Sequence, residues 1–342
     1  MQEIEYNYKK EIVMNKLLVF TFRNSIFAFL VLAMLAPSVR ALDVTVINDV
    51  PDGHPRLKYA LQIEADVSRA SGGSIHVITN RKVQGKAGLQ ELLSDRAQIA
   101  TLNTAHLEAV DPRIGFVNLP FGLSDRAMAR PGTIDRIVGL MQKQLDTSGL
   151  VILGLMRGAD NLFAFKNRTI RSPSDLAGVR LRVTGEGVYE KIMQSLGAVP
   201  VPMSIGQIKA AIAEGKVEGT STSPGGWTSQ LGMSAPFGSQ VPGLMMLTYT
   251  YVAKKSWLDS LTAEQRRIIM KAVYDNSTLQ WQAMYDDDKA VIEAFVKQGG
   301  TYHLVPESEL GVWREKVAPV SVEFENRYPD VIQAGRAILA GK

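Results

Sequence analysis

Arg180 and Arg182 stand two residues apart in Val179-Arg180-Leu181-Arg182-Val183. Such alternation places both guanidinium groups on one face of a sheet, near the strand's C-terminal edge, where α/β folds place their ligands. An arginine there can hold a carboxylate through two parallel hydrogen bonds, a fork that lysine cannot copy. The plainer role is a surface ion pair. Four further places offer polar groups. The loop Thr220-Ser221-Thr222-Ser223-Pro224-Gly225-Gly226-Trp227 combines hydroxyls with one large aromatic, and its plainer role is a Ser/Thr-rich turn whose Trp227 is partly core. His54, in Asp52-Gly53-His54-Pro55, sits where a strand turns into a helix and can donate to a ligand or merely cap the helix. Asn103 and Thr104 follow a strand end and could face Arg182 across a cleft; Asn161, at the head of another strand, is the last candidate.

Most other chemistries are missing. Cys is absent, which excludes disulfides, thiolate metal sites and Cys nucleophiles. His54, His76, His106 and His303 are scattered without metal-ligand spacing, so no metal and no cofactor is expected. There is no GxSxG elbow, Walker A or EF-hand loop. Gly185-Glu186-Gly187 begins like a dinucleotide fingerprint, but Glu190 replaces its third Gly. Asp286, Asp287 and Asp288 fan around a helix axis and read as a solvated face. A net charge of +4 over 342 residues, without Lys/Arg clusters, gives no nucleic-acid footprint.

The elements that position these groups alternate between periods of two and about 3.6. In the first half, strands at 43–48, 74–80, 98–102 and 151–156 are separated by helices at 55–71, 89–95 and 132–148. The second half restarts with strands at 161–166 and 179–183, helices at 187–196 and 204–214, a Gly/Ser/Pro-rich loop at 219–243 and a strand at 244–253. Ser204 and Gln207 form a capping box. A helical run from Thr262 to about Gln298 follows, and at 1.5 Å per residue its length of roughly 50 Å exceeds the width of one small domain. Two α/β lobes with a C-terminal helix spanning both predict a hinged pair with a ligand cleft between them. At the N-terminus, Lys9, Lys10, Lys16 and Arg23 precede eleven apolar residues, Ile26 to Ala36, and then Val39-Arg40-Ala41. This is the pattern of a signal peptide cleaved near Ala41, with Met14 a more natural start than Met1.

Several segments resemble, in order and spacing, one receptor family. They are Ser71-Gly72-Gly73-Ser74-Ile75-His76-Val77, Leu119-Pro120-Phe121, the stretch from Ser172 to Val183, and Leu196-Gly197-Ala198-Val199-Pro200-Val201-Pro202-Met203. The chain thereby resembles the DctP-like solute receptors of tripartite ATP-independent periplasmic (TRAP) transporters. The resemblance implies a two-lobed periplasmic binding protein, not an enzyme, that closes on an organic acid and delivers it to a sodium-coupled permease of two membrane subunits. It implies lobe I from residues 42–159 plus 248–287, lobe II from 160–247 plus 288–342, a monomer, and a periplasmic location. Arg182 matches the family arginine that salt-bridges the ligand carboxylate, Ile205 the apolar ligand wall, and Thr222 the place of a ligand-contacting amide. A second arginine of some sialic-acid receptors falls at Leu162, with Arg157 too far upstream to replace it. One cationic clamp and Trp227 therefore favour a monocarboxylate with an apolar or hydroxylated body, and Asn103-Thr104, where some relatives place an acid, speak against an amine. Two alternatives are a periplasmic sensor feeding a receptor kinase and a secreted hydrolase using Ser221 or Ser223 with His54.

Overall fold

The computed structural model describes residues 41–342; the expected signal peptide lies outside them. Two sheets form. In the first, the order is β2-β1-β3-β10-β4, built from β1 (Leu42–Asn48), β2 (Ile75–Asn80), β3 (Ile99–Asn103), β4 (Leu150–Asp160) and β10 (Met246–Lys254). β1 runs parallel to β2 and β3, and β10 is antiparallel to β3 and β4. In the second, the order is β11-β9-β5-β8-β6-β7, from β5 (Leu162–Phe165), β6 (Arg180–Val183), β7 (Val199–Pro202), β8 (Gly219–Thr222), β9 (Phe237–Gln240) and β11 (Thr301–Leu304). The chain passes from one sheet to the other between β4 and β5, and returns between β9 and β10.

Helices cover both faces of each sheet, as mixed α/β architecture requires. On one face of the first sheet Val44, Val46, Ile99, Tyr249 and Tyr251 pack under α1 (Leu57–Ala70), which supplies Ile63 and Val67. Residues one position along, such as Ile47, Ala100 and Leu102, face α2 (Lys86–Leu93) and α3 (Thr133–Leu145). In β5 the alternation is visible within four residues. Phe163 and Phe165 join a cluster with α4 (Val188–Ser195) and α7 (Leu310–Arg327), while Leu162 and Ala164 face Ile208 of α5 (Ile208–Ala213) and Trp227. The long helix α6 (Ala263–Lys297) opens with the capping box of Thr262 and Gln265. Its Ile268, Ile269, Ala272 and Val273 pack on the first sheet and Phe295 on the second, so it spans both. α8 (Pro329–Leu339) ends the fold.

The structure differs from the sequence reading where residue types hid the strands. β7 is Val-Pro-Val-Pro; proline cannot donate to a ladder and is tolerated here because β7 is the sheet edge. The segment read as a loop at 219–243 holds β8, a short helical stretch and β9. β8 starts at Gly219, where a Cβ would collide with the Phe165 ring. The three aspartates of α6 are not all solvated: Asp288 is buried.

Candidate functional site

β6 sends its alternate residues to different fates. Arg180 is exposed and donates to the Gly215 carbonyl, beside Glu218. Arg182 is only 1% exposed. Its Nε donates to the Met203 carbonyl at 2.9 Å and its Nη1 to the Ser221 carbonyl at 3.1 Å. Among the described residues no carboxylate stands within ion-pair distance, so a buried cation is oriented by two neutral carbonyls. Burial pulls its pKa down to about 10, against the opposing pull of Tyr249 and Asp49, and it stays charged at neutral pH. A desolvated cation without a counter-charge is costly, and an anionic ligand relieves that cost.

Arg182 lines a cavity of about 20 Å³ with groups from both sheets. Thr184, Ser204, Ile205, Thr222 and Ser223 come from the second; Asp49, Leu247 and Tyr249 come from the first, with Gly85 and His106 from adjoining loops. The sequence reading named Ile205 and Thr222 as ligand contacts and Ser223 as one hydroxyl of the loop, and it did not assign the others to the site. Asp49 was not legible: it follows β1 as an ordinary turn residue, and only the fold brings it to the cavity, where its Oδ1 accepts from the Gly85 N–H at 2.7 Å. It supplies an acidic group that Asn103-Thr104 lack.

The other candidates stand around this cavity. Asn161 Oδ1 accepts from Ser221 Oγ, so Asn161 braces the residue whose carbonyl holds Arg182. Asn103 Oδ1 accepts from the Ala105 N–H at 3.0 Å, and Thr104 Oγ1 is hydrogen bonded to Thr248 and Thr250, so neither side chain reaches the Arg182 cavity. Trp227 is also elsewhere: its indole N–H donates to the Ala235 carbonyl at 2.7 Å and its ring meets Phe295 edge-on, inside the core of the second sheet.

His54 bears on the hydrolase alternative. Its Nδ1 accepts from the Arg56 N–H at 3.1 Å, which places the ring proton on Nε2, 3.2 Å from Ser223 Oγ. Burial, and then the charge of Arg56, push its pKa well below the usual histidine range and keep it neutral. The imidazole therefore donates to Ser223, whereas a general base must accept the serine proton. Ser223 Oγ already accepts from the Gly226 N–H at 3.0 Å, as a helix cap does.

A larger groove, about 790 Å³, lies between α6 and the β4–β5 and β9–β10 crossings, lined by Arg157, Asp160, Tyr285, Asp288 and Ile292 among others. Within it Arg157 and Asp288 are paired with each other. Arg157 donates to both oxygens of Asp125, at 2.8 and 3.1 Å, and to Asp288 at 2.5 Å, so it is committed to the scaffold and cannot serve as a second clamp in the Arg182 cavity. No cluster of possible metal-ligating side chains occurs among the described residues.

Comparison with known proteins completes the description. Residues 47–327 match the sequence profile of the bacterial extracellular solute-binding proteins, family 7. The C4-dicarboxylate-binding periplasmic protein DctP of Rhodobacter capsulatus is 23% identical over 323 residues, which is 90% of this chain and 93% of that protein. Among solved structures, the sugar acid binding protein DctPAm of Advenella mimigardefordensis, in complex with galactonate, superposes with a TM-score of 0.82 at 19% identity, over 88% of this chain and 99% of that one. A TRAP periplasmic solute binding protein of Shewanella oneidensis with bound succinate gives 0.78 at 20% identity, over 87% and 99%. The fold is thus that of the two-lobed TRAP periplasmic binding proteins.

Proposed function

The chain belongs to family 7 of the bacterial extracellular solute-binding proteins, receptors and not enzymes, and from that we propose that it captures an organic acid on Arg182 and passes it to a sodium-coupled TRAP permease. The observation that carries the assignment is the buried guanidinium of Arg182, aimed by the Met203 and Ser221 carbonyls and lacking a carboxylate partner. A ligand carboxylate completes the fork. Thr222, Ser204 and Ile205 border the bound acid, and Asn161 and His54 act one step away, through Ser221 and Ser223.

A cavity of about 20 Å³ admits one water-sized group, far below the roughly 300 Å³ at which small-ligand pockets begin. Loading an acid therefore requires the two lobes to part. The lobes we assign are residues 42–159 with 248–287, and 160–247 with 288–342. Their hinge lies at the two crossings between sheets and at the middle of α6. Binding to the closed form then shifts the open–closed equilibrium by the ligand's differential affinity. The receptor works as a monomer in the periplasm, after a signal peptide is cleaved near Ala41; no helix among the described residues is long and apolar enough to cross a membrane.

The test is a thermal-shift panel of monocarboxylates, dicarboxylates, aldonates and uronates, the classes into which the ligands of the relatives fall. An acid at 100 times its dissociation constant stabilises by about 2.7 kcal/mol. That corresponds to a rise of roughly 4 °C or more. A panel in which neutral analogues shift melting as well as the acids do would contradict carboxylate capture.

A further inference from the structure

Arg56 follows Pro55 at the start of α1 and was not among the sequence candidates. In the fold it is 3% exposed, its guanidinium lies over the ring of Tyr249, and its Nε and Nη1 are buried without a hydrogen-bond partner among the described residues. Other buried polar side chains share this condition, among them Asn48 through both Nδ2 and Oδ1, Thr101 through Oγ1, and Asn103 through Nδ2, with Asn118, Thr133 and Asn161 outside that group.

Strand register shows that Asn48, Thr101 and Asn103 stand together. Asn48 pairs with Thr101, Thr101 with Tyr251, and Asn103 with Tyr249, and paired residues share a sheet face. Asn48, Thr101, Asn103, Tyr249 and Tyr251 therefore line one face of the first sheet at the C-terminal ends of β1 and β3, which is where open α/β sheets place ligands. Arg56 lies over Tyr249 on that face. This patch adjoins the Arg182 cavity at two points, since Tyr249 lines that cavity and His54, bonded to the Arg56 backbone, bonds Ser223 on its wall.

We infer that Arg56, Asn48, Thr101 and Asn103 form a second polar subsite across Tyr249 from Arg182, which takes the hydroxyl-bearing tail of the bound acid. This rests on the reading of Arg182 as the carboxylate clamp. Several buried polar atoms left unpaired in one patch are a liability in a structural core, and they become useful when a ligand pairs them. The mixture of groups selects the chemistry. Arg56 and the two amide nitrogens donate, Asn48 Oδ1 accepts, and Thr101 does either. A polyol tail donates and accepts, so it satisfies the whole set, whereas a second carboxylate would leave Asn48 Oδ1 facing an anion and an alkyl tail would satisfy none of it. The preferred ligand is then a polyhydroxylated monocarboxylate.

The test uses three six-carbon acids, D-gluconate, hexanoate and adipate, titrated calorimetrically into wild type, Arg56→Met and Asn48→Ala. Wild type is expected to bind gluconate at least tenfold more tightly than hexanoate or adipate. Arg56→Met should lose at least tenfold for gluconate and less than threefold for hexanoate, with Asn48→Ala a weaker copy. Ligand-free Arg56→Met should melt no lower than wild type, because it removes an unpaired buried cation; a role as a structural anchor on Tyr249 would lower melting and leave the gluconate preference intact, overturning the inference. A wild-type preference for adipate that Arg56→Met abolishes would give Arg56 a second carboxylate and overturn the polyol assignment. Binding of acids that ignores Arg182→Lys would sink the clamp itself, a failure distinct from that of the subsite.

Discussion

The carboxylate of Glu108 accepts a hydrogen bond from the backbone N–H of Val188 at 3.0 Å. Glu108 belongs to the turn that follows β3 of the first sheet, and Val188 is the first residue of α4, which packs on the second. The contact therefore ties the two halves together close to the ligand cavity. Gly187 leaves the room: at its positive φ of 68° a Cβ would run into the Glu108 carboxylate.

Burial carries the Glu108 carboxyl up to about 7, although Asn118 and Val188 both donate to it and pull the other way. Asp288 rises to about 7 and Asp160 to about 6, again chiefly by burial. In each case the native group keeps a proton that the unfolded chain has released, so stability falls as pH rises from about 4.5 to 7 and levels off above. For Glu108 alone the span is at most about 3 kcal/mol. Glu108→Gln should flatten part of this decline, read as melting temperature from pH 4.5 to 8. An unchanged slope in the variant would remove Glu108 from the account.

Arg157 is the shared counter-charge of Asp125 and Asp288. Removing it strands carboxylates in a buried setting, and breaking such a pair from one side costs about 3–5 kcal/mol. Arg157→Met should lower the urea midpoint by that measure, more at pH 8 than at pH 5, because the stranded acids can protonate at low pH. Asp288→Asn in the same chain should recover part of the loss. A midpoint unaffected by Arg157→Met would mean that the network contributes nothing.

Trp227 fills the core of the second sheet, so its loss should cost stability without changing ligand choice. Trp227→Ala is expected to destabilise by about 3–5 kcal/mol. Gly238→Ala, whose methyl would meet the indole at 2.6 Å, should destabilise through the same contact. Unfolding curves measure both. A reordered ligand panel in a folded Trp227→Phe protein would return Trp227 to the pocket wall.

Much of this was legible in the sequence, for stated physical reasons. The period-two pattern around Arg182 gave both its strand and its face, and Thr262 marked the start of the long helix. Side chains whose role depends on distant partners were not legible. Asp288 reads as one of three solvated aspartates until Arg157 arrives from β4, and Arg56 carries no signal until Tyr249 arrives from β10. Trp227 shows the converse: a Gly/Ser-rich neighbourhood suggested a ligand loop, yet Gly238 and Phe295 enclose the indole in the core.

The most direct test of the central claim is calorimetric titration of Arg182→Lys beside wild type with the acid that gives the largest thermal shift. Lysine keeps the charge and loses the fork, and one or two charge-assisted hydrogen bonds correspond to about a tenfold to hundredfold loss of affinity. The account predicts that loss, with the ligand-free variant melting within a few degrees of wild type. Affinity retained within about threefold in a folded Arg182→Lys protein would contradict it.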